Sequence, residues 1–319
     1  MNRLPIYLIL AACLASCAKT PVENSAGDSI CFRTDLVSVS ESPLSKAEIG
    51  TAAGRTIYVT ETIHNIFAGT ECQLPQGTGI YKTVETWTSG QEYDFFAYMC
   101  DGGGVGNISQ NGLKFTITQP SEPSPDGSNS GFSDYLLSYK YYVVDGASKP
   151  LVTFEMVHAT AAVELYLVKP AGAAETEVLS ATMSGVSIGA DYSVNVHTGT
   201  NISWTVDRTD DTADYSRSDP DFCALEIGAD GSYFPDGSLY FSFLACQQPV
   251  DPVTIEVRFS VAGDREYTVE FPLGQVEGVP YWMPGTKTRY AVVLDSEARL
   301  YGSIEDWKDG GEMEGSLVP

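Results

Sequence analysis

The chain has 319 residues, 43% of them hydrophobic and 19% charged, and 18 Lys and Arg against 42 Asp and Glu give a formal charge of −24. That acidic excess excludes a nucleic-acid binder, which needs clustered cations to neutralise phosphates, and docking to anionic lipid through a basic face. The apolar share excludes a mostly disordered chain, and three histidines (His64, His158, His197) leave little for acid–base or metal chemistry, so no cofactor is expected.

Residues 1–16 read as an export signal. Arg3 supplies the positive start, and Ile6 to Ala15 is an apolar run too short to span a bilayer core. The run ends in Leu14-Ala15-Ser16-Cys17, which closely resembles the bacterial lipobox. That resemblance implies cleavage before Cys17, lipidation of its sulfur and amino group, and an anchor in the outer membrane. Several acyl chains hold a protein at a membrane where one is marginal. Residues 17–29 are polar and read as a tether. Five cysteines remain beyond Cys17, namely Cys31, Cys72, Cys100, Cys223 and Cys246. An exported location permits disulfides, but an odd number cannot pair fully within one chain. Buried free thiols are the first expectation, with a Cys223–Cys246 bridge kept open.

Period-two patterning then dominates. Strands are expected at Ile30–Phe32, Thr56–Thr60, the aromatic run Tyr93–Met99, Leu113–Thr118 and Tyr135–Val143. Pro120 to Gly131 is rich in Pro, Ser, Gly and Asp and reads as a loop. Val152–Met156 and Val163–Leu167 alternate, as do short pieces between Val186 and Val196. Leu239–Leu244, Val253–Phe259, Glu266–Phe271 and Tyr290–Leu294 complete the set. No segment offers a long capped amphipathic helix. The expected architecture is all-β, with two sandwiches occupying 30–155 and 156–319. Trp87-x-x-Gly90-x-x-Tyr93 and Trp282-x-x-Gly285 before Tyr290 form a weak internal echo.

Five blocks in order carry a family resemblance: the lipobox, the Trp87–Tyr98 run, Ser133-Asp134-Tyr135-Leu136-Leu137, Val152-x-Phe154-x-x-x-His158, and Trp282-x-x-Gly285 with Ile304-Glu305-Asp306-Trp307. Together they resemble the fimbrillin family of Bacteroidia, the lipoprotein-exported subunits of type V pili and related adhesins. The resemblance implies two tandem transthyretin-like β-sandwich domains, no catalysis, and assembly with other fimbrial subunits. It also implies loss of an N-terminal strand by cleavage after a basic residue, the vacated groove accepting a strand from another subunit. Arg55, Lys46 and Arg33 are the candidate cleavage residues, in that order. Asp28-Ser29-Ile30 and Asp211-Thr212-Ala213 resemble the short O-glycosylation signal of the same bacteria, with Ser29 and Thr212 as acceptors.

Other motifs favour blander readings. Gly185-Val186-Ser187-Ile188-Gly189 matches a nucleophile-elbow pattern, but strand-like sequence follows where a helix is required. Residues 102–106 lack a phosphate-cradle register. Asp207, Asp210, Asp211 and Asp214 crowd one stretch that reads as an acidic loop able at most to hold a cation, without the order of an EF-hand. Trp87, Trp204, Trp282 and Trp307 could stack on sugars. The alternative function is therefore a monomeric surface lipoprotein that binds glycans through loop aromatics.

Overall fold

A computed structural model describes residues 29–35, 56–76, 78–101, 107–111, 114–129, 131–145, 149–195, 203–208, 210–219, 221–262, 265–295 and 298–306. The signal, Cys17, Lys46, Arg55, residues 102–106, His197 and Trp307 lie outside them. The strands in the first half are β1 (Ser29–Asp35), β2 (Thr56–Glu61), β3 (Thr70–Gln73), β4 (Tyr81–Thr86), β5 (Glu92–Asp101), β6 (Asn107–Asn111), β7 (Lys114–Thr118), β8 (Asp134–Val143) and β9 (Val152–Glu155). After the short β10 (Val157–His158) come β11 (Thr160–Lys169), β12 (Thr176–Ser187), β13 (Gly189–Asn195), β14 (Ser203–Arg208) and β15 (Thr212–Arg217). The last are β16 (Leu225–Glu226), β17 (Leu239–Cys246), β18 (Gln248–Pro249), β19 (Thr254–Val261), β20 (Arg265–Pro272), β21 (Tyr281–Trp282), β22 (Thr286–Val293) and β23 (Arg299–Asp306). No α-helix occurs among the described residues.

The central sheet of the first half runs β10-β8-β5-β2-β3, and the period of its sequence explains why it is buried on both sides. Along β5, Tyr93, Phe95, Ala97 and Met99 point to one face and enter a core with Ile30, Phe32, Trp87, Val152 and Phe154. Phe96 points to the other and packs with Phe115, Tyr135, Tyr139, Ala190 and Tyr192. Alternate side chains of one strand thus feed two different cores. The first face is covered by a three-stranded sheet, β4-β1-β9. The second is covered by a four-stranded sheet, β14-β13-β7-β6.

That second cover is assembled from both halves of the chain. The β6–β7 hairpin comes from the first half and the β13–β14 hairpin from the second, joined antiparallel from Gly189↔Thr118 to Ser193↔Lys114. The rest of the second half forms its own sandwich, with β16 and β17 beside β11, then β22 and β23, facing β15-β12-β19-β20.

The Pro120–Gly131 stretch, expected to be a plain loop, reaches into this second sandwich. Phe132 at its end is buried in that core, 5.5 Å from the Tyr215 ring and 6.0 Å from Phe243. Tyr215 donates to the Pro120 carbonyl at 2.7 Å, and Ser242 N–H donates to Gly127 O at 2.8 Å. The expected acidic loop is also largely strand, with Asp207 on β14 and Asp214 on β15. In β15 only Ala213 and Tyr215 point inward, too few apolar residues to announce a strand against Thr, Asp and Ser.

One buried polar knot fixes the passage between halves. Asp134 opens β8, and its two oxygens take the His158 ring nitrogen Nδ1 at 2.7 Å and the Thr160 hydroxyl at 2.6 Å. Tyr192 donates to the neighbouring Ala159 carbonyl at 2.8 Å. The carboxylate ties β8 and β10 of the central sheet to β11 of the second sandwich, and the Tyr192 bond adds β13 of the joint cover; a buried polar group without its partner is costly. Asp134→Ala is expected to lower unfolding stability by about 3 kcal/mol, with Asp134→Asn less damaging, as urea denaturation would measure.

Candidate functional site

The candidate site is the slot that β1 occupies. β1 is the middle strand of its sheet, so both of its edges are hydrogen-bonded. It runs antiparallel to β4, with Cys31↔Lys82 and Phe32↔Tyr81, and parallel to β9, from Phe32↔Val152 to Asp35↔Glu155. β4 and β9 meet only through it. Ile30 and Phe32 are fully buried. The Phe32 ring lies 5.2 Å from Phe67, 5.5 Å from Phe95 and 5.7 Å from Phe154, an aromatic cage closed by a strand that enters from far away in sequence. Burying two such side chains contributes about 1.5–3 kcal/mol each.

Residues 36–55 join β1 to β2 and contain Lys46 and Arg55, both outside the described residues. Arg33, the third candidate cleavage residue, lies within β1 opposite Thr153 and is half-buried. A protease needs extended, unpaired backbone, and Arg33 offers it only after β1 has left the sheet. Ser29 is the first residue of β1 and half-buried, whereas Thr212 is exposed at the start of β15.

The remaining sequence candidates take structural roles. Ser187 is buried on the continuous β12 strand, its hydroxyl donating to the Gly189 carbonyl at 2.9 Å. Gly185 forms the bulge beside it at φ +79°, where an added Cβ would strike the Pro252 carbonyl. Asp191 and Asp207 face one another across β13 and β14, Asp214 accepts from Gly185 N–H at 3.2 Å, and the Asp211 carbonyl accepts from Ile188 N–H. Among the described residues, no group of three or more His, Cys, Asp or Glu is placed to hold a metal ion. Trp87 and Trp282 are buried and Trp204 is half-buried, donating to the Gln247 side chain at 3.1 Å. The two Trp-x-x-Gly echoes share a turn conformation at the glycine and differ in how the tryptophan is held. In each, the glycine has positive φ, and the tryptophan is tied to a tyrosine further on, Trp87 edge-to-face with Tyr93 and Trp282 donating to the Tyr290 hydroxyl.

None of the five described cysteines forms a disulfide, and the Cys223–Cys246 bridge kept open above does not form. Cys223 is exposed, while Cys246 is buried at the joint between the sheets. Burial pushes the Cys72 and Cys246 thiols up to about 12 and raises Cys31 as well.

The fold is one of stacked β-sheets, with β1 the central strand of the sheet that covers one face of the first half. The chain belongs to the fimbrillin-like family, whose model matches residues 46–307. The family is one of fimbrial and adhesin-type proteins of the cell surface rather than of enzymes. The chain is also similar to several solved structures. A candidate cell adhesion protein from Bacteroides ovatus is 15% identical, covering 88% of this chain and 96% of its own, with a TM-score of 0.50. A second such protein, from Bacteroides uniformis, is 14% identical over 88% and 97%, with a TM-score of 0.49. The tip fimbrial protein Mfa3 from Porphyromonas gingivalis is 10% identical over 88% and 100%, with a TM-score of 0.41. No curated protein matches the sequence.

Two measurements probe the slot. Phe32→Ala is expected to cost about 3–5 kcal/mol of stability, since the cage cannot collapse around the missing ring. With a thiol reagent at neutral pH, Cys100 and Cys223 are expected to react at once and Cys31, Cys72 and Cys246 only on unfolding; early modification of Cys31 would show that β1 is not held as described.

Proposed function

We propose that the protein is a fimbrial subunit or adhesin, exported as a lipoprotein through Cys17 and assembled with other subunits by exchange of β1. The observation that carries the reading is the position of β1. It is a central strand of its sheet, yet its covalent link to the strands that follow runs through a segment carrying Lys46 and Arg55. Cleavage there leaves β1 held by hydrogen bonds and packing alone. Its departure opens a groove with unpaired backbone on β4 and β9 and an empty aromatic cage. A strand from another subunit satisfies both needs, which is β-augmentation in its most demanding form. The groove accepts an extended segment with large apolar residues two positions apart, in the places of Ile30 and Phe32.

The other reading, a monomeric glycan binder using loop tryptophans, gains little from Trp87, Trp204 and Trp282, which are packed or hydrogen-bonded.

The test is N-terminal sequencing of the protein taken from cell envelopes, together with gel analysis of unboiled samples. A start after Arg55 or Lys46, with SDS-resistant oligomers that Arg55→Ala or Lys46→Ala abolishes, is the expected result. A uniformly monomeric form still blocked at a lipidated Cys17 would refute strand exchange and leave an anchored binding role.

A further inference from the structure

The Pro120–Gly131 stretch builds a second feature that uses neither β1 nor its slot. Its Glu122–Pro125 portion stands beside the end of β15 and encloses a cleft of about 410 Å³. Glu122 and Ser124 line it from the first half of the chain, and Asp214, Ser216, Arg217 and Ser218 from the second. This volume falls within the range of small-ligand sites, about 300–1,000 Å³.

Both walls are fixed in advance. The first is braced by Gly127 N–H to Ser124 O, by Gly131 N–H to the Ser124 hydroxyl at 3.1 Å, and by the Asp126 carboxylate, which takes both the backbone N–H and the hydroxyl of Ser128. The second is braced by Arg217. Its guanidinium pairs with Asp219 at 2.7 Å, donates to the Tyr240 carbonyl and lies 4.9 Å over the Tyr240 ring. A site whose groups are already held loses little freedom on binding.

The chemistry of the lining selects the ligand. Glu122 and Asp214 only accept hydrogen bonds, Arg217 only donates them, and the three serine hydroxyls do both. A cationic side chain has no acceptors for the serine hydroxyls and meets the fixed positive charge of Arg217. An anion has no donors and meets two carboxylates. A ligand dense in hydroxyls can donate to the carboxylates and both donate to and accept from the serine hydroxyls, and Pro123 and Pro125 add apolar ring surface for the C–H face of a sugar. We propose that this cleft binds an uncharged sugar residue of a glycan.

The test is a glycan array probed with the purified protein, followed by calorimetry with the best uncharged glycan. Retention of uncharged glycans is expected. Ser218→Trp, which fills the cleft, and Glu122→Gln, which weakens an acceptor, should each reduce affinity at least tenfold while the thermal midpoint stays unchanged. No retention of uncharged glycans, retention confined to sialylated or sulfated glycans, capture of a lysine-rich peptide instead, or full affinity in both variants would each overturn the assignment. None of these outcomes bears on β1 exchange, which the N-terminal sequencing decides separately.

Discussion

The central β10-β8-β5-β2-β3 sheet has two apolar faces, and the rest of the architecture follows from the need to cover both. Strand β8 is buried from Asp134 to Lys140. A sheet of that kind is unstable with one face in water, because each exposed aromatic forfeits about 1.5–3 kcal/mol of burial. The two covers differ in kind. One is centred on β1, a strand that enters from the N-terminus and touches the rest through ladders and the Phe32 cage. The other is made jointly by β6, β7, β13 and β14 and is woven into the chain at both ends. A single constraint therefore yields one cover centred on an N-terminal strand and one shared between the two halves of the chain.

Much of this was legible in the sequence. The β5 run advertised its two faces through strict alternation of Tyr93, Phe95 and Ala97 against Phe96 and Tyr98. Ile30-Cys31-Phe32 was enough to mark β1, and both Trp-x-x-Gly turns place their glycine at positive φ. The losses occurred where local pattern is weak or the partner is distant. β15 carries two inward residues among polar ones, so Asp214 was read as part of a loop. Phe132 follows a stretch of turn residues, and nothing nearby signals that it belongs in the core beside Tyr215 and Phe243. For the candidate site, the sequence supplied β1 and the basic residues after it. It could not supply the parallel pairing with β9, a contact between segments more than a hundred residues apart.

The charge distribution fits a surface built on backbone and shape. Buried carboxylates such as Asp134 serve as acceptors within the fold, and Glu164 gathers Lys287 and Arg289 on one face of the second sandwich. The surplus acids lie on exposed positions such as Asp207 and Asp210, where they keep the surface solvated.

The jointly built cover also sets the order of folding. The first half cannot finish its core until β13 and β14 exist, and the second sandwich cannot close until Phe132 is delivered from the first. Neither half can be completed as the chain emerges, so many contacts of long sequence separation must form together. Such a chain folds slowly, with apolar sheet surface uncovered in the meantime. An exported protein of this design therefore gains from being kept unfolded until its full length has crossed the membrane.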